Sequence, residues 1–204
     1  MSSTRERLIE VAIRLFWRYG YSSVSVDQLC EEALVKKGSF YHFFPSKEEL
    51  ALAAIDAHWA DRKPRLDALF SPSLPALERF ERYFTYIVRR QSELLAEQGH
   101  VLGCLYFSLG TENLDQPRLS EKIRDILTVY ERYYQNALVE ARDAGQLHLD
   151  NPRLKAKALF RFIEGHLADA RLHNSLEGLR EMPDQAWELL GVSARSRPAQ
   201  LEPC

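Results

Sequence analysis

Apolar positions recur at three- and four-residue intervals along almost the whole chain, and nowhere does the two-residue alternation of a half-buried strand replace them. Leu8, Ile9, Ala12, Leu15, Phe16 and Tyr19 share one face of a first predicted helix, opened by Ser3 and Glu6 at capping-box spacing and stopped by Gly20. Phe16 and Tyr19 read as packing on that face. A loop over residues 21–24 leads to a denser stretch, 25–50, where Ser25 with Gln28 and Ser46 with Glu49 mark two further helix starts. The second opens a helix over residues 46–62 that Pro64 should end. From Pro75 onward the helices lengthen. Leu77, Phe80, Phe84, Ile87, Val88 and Leu95 mark one, and residues 99–103 interrupt before the apolar segment 104–109. Another runs from Pro117 to about Ala144, with Leu119, Ile123, Ile126, Leu127, Tyr130, Tyr134 and Leu138 inward. Asp150 or Asn151 before Pro152 signals the cap of a helix reaching about His173, and a last one covers residues 184–190. The pattern predicts an all-α chain of about nine helices.

Residues 25–50 hold two short helices, a tight turn and the start of a third. Leu29, Ala33, Val35, Phe40, Phe43 and Phe44 supply the apolar positions, while Lys36, Lys37, Ser39, Tyr41, His42 and Lys47 are left facing out. That is a helix-turn-helix pattern: a short exposed helix rich in donors, braced by aromatics, has the size to enter a major groove. Composition at first argues the other way. The 204 residues are 46% apolar and 27% charged, ordinary for a globular protein, and the net charge of −2 lacks the basic excess usual in DNA-binding domains. Lys36, Lys37 and Lys47 nevertheless fall in a stretch free of acids, so a locally positive face remains available. The longest apolar-rich run, residues 101–110, is half a membrane span, and no basic segment followed by an apolar core opens the chain, so a cytoplasmic protein is expected. Cys30, Cys104 and Cys204 are too scattered for a disulfide framework and lack zinc-site spacing.

The run VKKGSFYHFFPSKEEL resembles the signature of the TetR family of bacterial repressors, and the likeness extends over residues 5–54 with the glycine, aromatics and lysine in register. Two positions depart from it. Leu34 stands where the family has a turn glycine that enters positive φ freely. Lys36 stands where Ser or Thr caps the recognition helix, which leaves that N-terminus open to a phosphate. The resemblance implies a transcriptional repressor released from a palindromic operator when a small organic effector binds. It implies groove contacts from Lys37, Ser39, Tyr41 and His42, and phosphate contacts from Ser25, Lys36, Tyr41, Lys47 and the backbone N–H of Gly38. It divides the chain into a DNA-binding domain, 1–46, with helix 46–62 leading out of it, and a ligand-binding and dimerisation domain, 47–192; the Pro/Ser/Arg composition of the tail, 193–204, predicts disorder there. In the implied homodimer, two copies of the last two helices form a seam that buries Leu159, Phe162, Ile163, Leu167, Trp187 and Leu190. The two recognition helices then sit about 34–36 Å apart, and rotation of the lead-out helix breaks their match to successive grooves.

The second half carries the remaining candidate chemistry. Tyr83, Tyr86, Tyr106 and Tyr130 bring more hydroxyls than packing alone needs, and with Cys104, Phe107, Phe162 and His166 they are the expected effector site. Cys104 follows Gly103 at a predicted helix start and reads either as a small core residue or as a thiol sensor of electrophiles or oxidants, a trait of one TetR subgroup it resembles. Glu164, His166, Asp169 and His173 lie near one another in sequence, but the i, i+2 spacing of the first pair splays them, so neither metal nor cofactor is expected. No nucleophile elbow, P-loop, GxGxxG or catalytic carboxylate pair is present, so an enzyme is not expected. A helical enzyme or binding protein without DNA function is the rival of another class, and a salt-sensitive gel shift separates the two.

Overall fold

The computed structural model describes residues 3–112, 115–193, 197 and 198. Among them it forms nine α-helices and no strand: α1 (Thr4–Tyr19), α2 (Val26–Glu32), α3 (Lys37–Phe43), α4 (Lys47–Leu69), α5 (Ala76–Gln98), α6 (Leu105–Glu112), α7 (Pro117–Asp143), α8 (Pro152–His173) and α9 (Glu177–Leu190). Most of the 193–204 tail, with Cys204, lies outside the described residues. The chain divides into two compact units. Unit 1 takes the chain up to Pro64 together with Leu105–Leu127, and unit 2 takes Arg65–Cys104 and the chain from Thr128 onward. The expected 1–46 domain thus falls in unit 1, joined there by most of α4, all of α6 and the start of α7.

In unit 1, α1 begins with a complete capping box, the Glu6 N–H donating to Ser3 Oγ at 3.2 Å and the Ser3 N–H to Glu6 Oε2 at 2.7 Å. Its buried face, Leu8, Ile9, Ala12, Leu15 and Phe16, forms a core with Leu29 of α2, Phe40 of α3 and Leu50 and Ile55 of α4. Tyr19, expected in that core, is about half exposed and lies under the Arg18 guanidinium. Gly20 ends α1 at φ 82°, a conformation that favours glycine, and a Cβ there would displace the Glu112 carboxylate at the end of α6. Arg118 and Lys122 of α7 pair with Glu49 and Asp56 of α4, at 2.6 and 2.5 Å.

Unit 2 packs an aromatic interior. Phe70 lies 5.2 Å from Tyr83 of α5 and 5.7 Å from Tyr134 of α7, ring centre to ring centre, and Phe84 meets Trp187 of α9 edge-on. Trp187 Nε1 donates to Glu81 Oε2 at 3.2 Å, which satisfies both buried groups. Two helices contain a proline and outrun their expected bounds, 46–62 and 184–190. Pro64 lies inside α4 because Leu66 and then Phe70 are buried beyond it, and Pro183 lies inside α9, which starts at Glu177 because Leu179 and Met182 are fully buried. Packing offsets the roughly 3 kcal/mol that an interior proline costs a helix.

Candidate nucleic-acid interface

Helices α2 and α3 and their turn are positioned by local hydrogen bonding as much as by the core. Ser25 caps α2, accepting the Gln28 N–H at 3.1 Å and keeping its own proton to donate outward. At the other end Val35 N–H donates to Cys30 O at 2.9 Å and Leu34 N–H to Glu31 O at 3.0 Å, the Schellman pattern, with Leu34 at the left-handed position that glycine usually occupies. Leu34 adopts it, φ 54°, and its side chain is 89% exposed.

Phe40 is the buried anchor of α3, edge-on to Tyr41 and 6.3 Å from Phe44 between ring centres. This turns Lys37, Gly38, Tyr41, His42 and Phe43 outward, with Ser39 half-buried. Phe43 was expected to pack inward. Phe40 and Phe44, four residues apart, take the inner side, and Phe43 lies exposed against His42 at 4.9 Å. Its aromatic character suggested core, and only the register of α3 puts it on the outer face. Lys36, also exposed, is the N-cap and gives α3 no side-chain cap. Gly38 has an ordinary helical φ, and apart from its chain neighbours and the backbone of its own helix no described atom lies within 4 Å of where its Cβ would be. Lys37 is held by Asp27 at 2.6 Å, and the hydrogen bond and charge of that carboxylate raise its pKa.

Lys47 does something other than expected. Its ammonium donates to Tyr21 O at 2.9 Å and Val24 O at 3.0 Å and lies 4.1 Å from the centre of the Tyr21 ring. Two of its three donors are therefore spent on the loop between α1 and α2, and burial lowers its pKa. It is a brace for the motif more than a free phosphate ligand.

The eight effector candidates are divided between the two units. Tyr106 and Phe107 belong to unit 1, where Tyr106 is buried, shares a hydrogen bond with His58 Nδ1 at 2.7 Å and meets Trp59 edge-on. In unit 2, Tyr83 is buried with its hydroxyl accepting from Tyr134 at 2.8 Å, Tyr86 stacks on Tyr83 under Arg65, and Tyr130 is half-buried on α7. Phe162 and His166, 4.6 Å apart, flank Glu164 on α8, and residues two apart on a helix point to opposite sides. Glu164 is the one that points inward. It is 6% exposed and bonded to the Cys104 thiol, a pairing that sequence spacing gave no means of finding. Asp169 and His173 pair with each other at the exposed end of α8, and no described group of three acids, histidines or cysteines can hold a metal ion.

The residues assigned to the dimer seam are mostly occupied already. Leu159, Ile163, Leu167, Trp187 and Leu190 are all buried within the single chain, so the subunit core accounts for them. The outward stripe of α8 is the opposite one, Leu154, Ala158, Arg161, Gly165 and Leu172, with Phe162 at its edge.

Comparison with known proteins agrees with this geometry. The profile described as "Bacterial regulatory proteins, tetR family" matches residues 8–54, the span of α1, α2, α3 and the start of α4. The transcriptional regulator AcuR of Cereibacter sphaeroides is 34% identical over 174 residues, covering 84% of this chain and 78% of that protein. The repressor NemR of Escherichia coli K12 is 28% identical, covering 86% and 88%. A crystal structure of a regulatory protein TetR from Rhodobacter sphaeroides superposes with a TM-score of 0.78 at 31% identity, covering 92% of this chain and 99% of that one. No helix among the described residues is long and apolar enough to cross a membrane. With its helix-turn-helix in the matched segment and its likeness to these regulators extending through the second half, the chain belongs to the TetR family of bacterial regulatory proteins and is a DNA-binding transcriptional regulator.

Proposed function

We propose that the chain is a homodimeric repressor whose α3 helices enter successive major grooves of a palindromic operator, and that a small organic effector bound in unit 2 releases it. Gly38 is the observation that carries the DNA reading: neither its φ nor any neighbouring atom demands glycine, so its bare backbone serves the close approach of something outside the chain. Lys37, Tyr41, His42 and Phe43 then meet base edges or the groove, while Ser25, Lys36 and the Gly38 N–H take phosphates. The outward stripe of α8 supplies the seam between subunits, since Leu154 and Leu172 are large, apolar and exposed and Gly165 lets a partner helix come near. Release works through continuity of the chain: the loop over residues 101–104 of unit 2 runs directly into α6, and α4 likewise belongs to both units. The test is anisotropy with a fluorescent fragment of the upstream region of the chain's own gene. Specific binding should weaken linearly in log salt, and a scrambled duplex should bind far more weakly. Equal affinity for both duplexes would overturn the operator reading.

A further inference from the structure

The interior of unit 2 leaves one oxygen of a buried carboxyl without a partner. Glu164 accepts a hydrogen bond from the Cys104 thiol, a weak donor, and its Oε2 meets no donor among the described residues. The fold goes to some length to build this pair. Gln91 clasps the preceding loop, accepting from Leu102 and Gly103 N–H at 3.2 and 3.0 Å and donating to Gly103 O at 3.0 Å, and Arg171 of α8 donates to Leu102 O at 3.1 Å. Gly103 takes φ 67°, where a Cβ would lie 3.0 Å from Leu167 O, so this loop lies directly against α8. From the other elements the facing groups are Tyr83 on α5 and Tyr134 on α7, both held neutral because burial, first, and then the charges around them push their pKa values up.

Burial pushes the Glu164 carboxyl up to about 7, and no basic side chain among the described residues opposes that. A carboxyl so placed is costly when ionised and needs either a proton or a counter-charge. A metal lacks further ligands here. An ammonium supplies at once the missing donor and the missing charge, and the aromatic interior of unit 2, Phe70 against Tyr83, Tyr83 against Tyr134 and Tyr134 against Phe160, supplies the apolar surroundings for its organic body.

We infer that Glu164, with Cys104, Tyr83 and Tyr134, anchors an organic-cation site in unit 2, in which the ammonium of a small primary or secondary amine donates to Oε2 and its apolar body lies among the aromatic rings. The inference rests on the reading of unit 2 as the effector-binding half. It is tested by calorimetric titration of the full chain with benzylamine at pH 6 and pH 8, with benzyl alcohol and benzoate as neutral and anionic counterparts. A carboxyl titrating near 7 passes from about one-tenth to about nine-tenths ionised across that span, so benzylamine affinity should rise about tenfold, while neither counterpart gains. Glu164→Gln should cost at least about tenfold in affinity and abolish the pH dependence. Saturating benzylamine should also slow alkylation of Cys104 by iodoacetamide. Benzylamine that binds no tighter than benzyl alcohol, or equally at both pH values, overturns the site, and the pH series on the unsubstituted chain decides this even if the glutamine variant fails to fold. Operator release is read separately: binding with these features but without release upholds the site and removes the effector reading.

Discussion

At the scale of single residues, the conformation of Leu34 and the burial of Glu164 both store free energy. A leucine at φ 54° costs about 1–2 kcal/mol relative to glycine. Leu34→Gly gives back part of that by loosening the unfolded chain, so the variant should gain about 0.5–1 kcal/mol in urea unfolding with operator affinity unchanged. A loss of stability would mean that the exposed side chain has a partner of its own. Glu164 ties stability to pH. The folded chain holds its proton up to about pH 7, whereas the unfolded chain releases it near 4.5, so between those values the folded state binds more protons and stability falls as pH rises. Glu164→Gln, free of that charge, should flatten the fall and be more stable above pH 7, by an amount on the order of 2–3 kcal/mol. Parallel unfolding curves for the two proteins from pH 5 to pH 8 would refute it.

At the scale of elements, recognition is proposed for α3 and support for the start of α4. Lys37→Ala and Tyr41→Ala remove the proposed groove contacts and should each weaken specific operator binding by about 1–3 kcal/mol while leaving the melting temperature nearly unchanged, because both side chains are exposed. Lys47→Met should do the reverse. It takes the ammonium donor from the Val24 carbonyl and leaves the Tyr21 carbonyl only the Val24 N–H at 3.4 Å, and so costs about 1–2 kcal/mol of stability, with no change in the salt slope of DNA binding. A slope lowered by about one unit, at unchanged stability, would return Lys47 to the phosphate backbone.

At the scale of the whole molecule, the two faces of α8 predict opposite outcomes. Leu172→Asp, at a site 80% exposed in the single chain, should give a folded monomer by sedimentation that has lost operator affinity. Leu159→Asp buries a charge in the subunit core and should instead abolish folding. A Leu172→Asp protein that still sediments as a dimer would move the seam away from this stripe.

The number and order of helices, the helix-turn-helix and the outward Lys37, Tyr41 and His42 were legible in the sequence, because capping residues and apolar periodicity act over a few positions and each helix carries its own record of them. Even the odd Leu34 could be read as a residue standing where the turn wants glycine. Tertiary structure decided the rest. Periodicity shows that Leu159, Ile163 and Leu167 are covered, but not whether the same chain or a second one covers them. Nor could local pattern foresee that α4 outlasts Pro64, since Leu66 and Phe70 repay that cost only through distant partners. Lys47 looked free beside a DNA-binding helix until two carbonyls more than twenty residues away claimed it. Glu164 meets Cys104 across sixty residues of sequence, and a carboxyl acquires an unusual proton affinity only from what the fold packs around it.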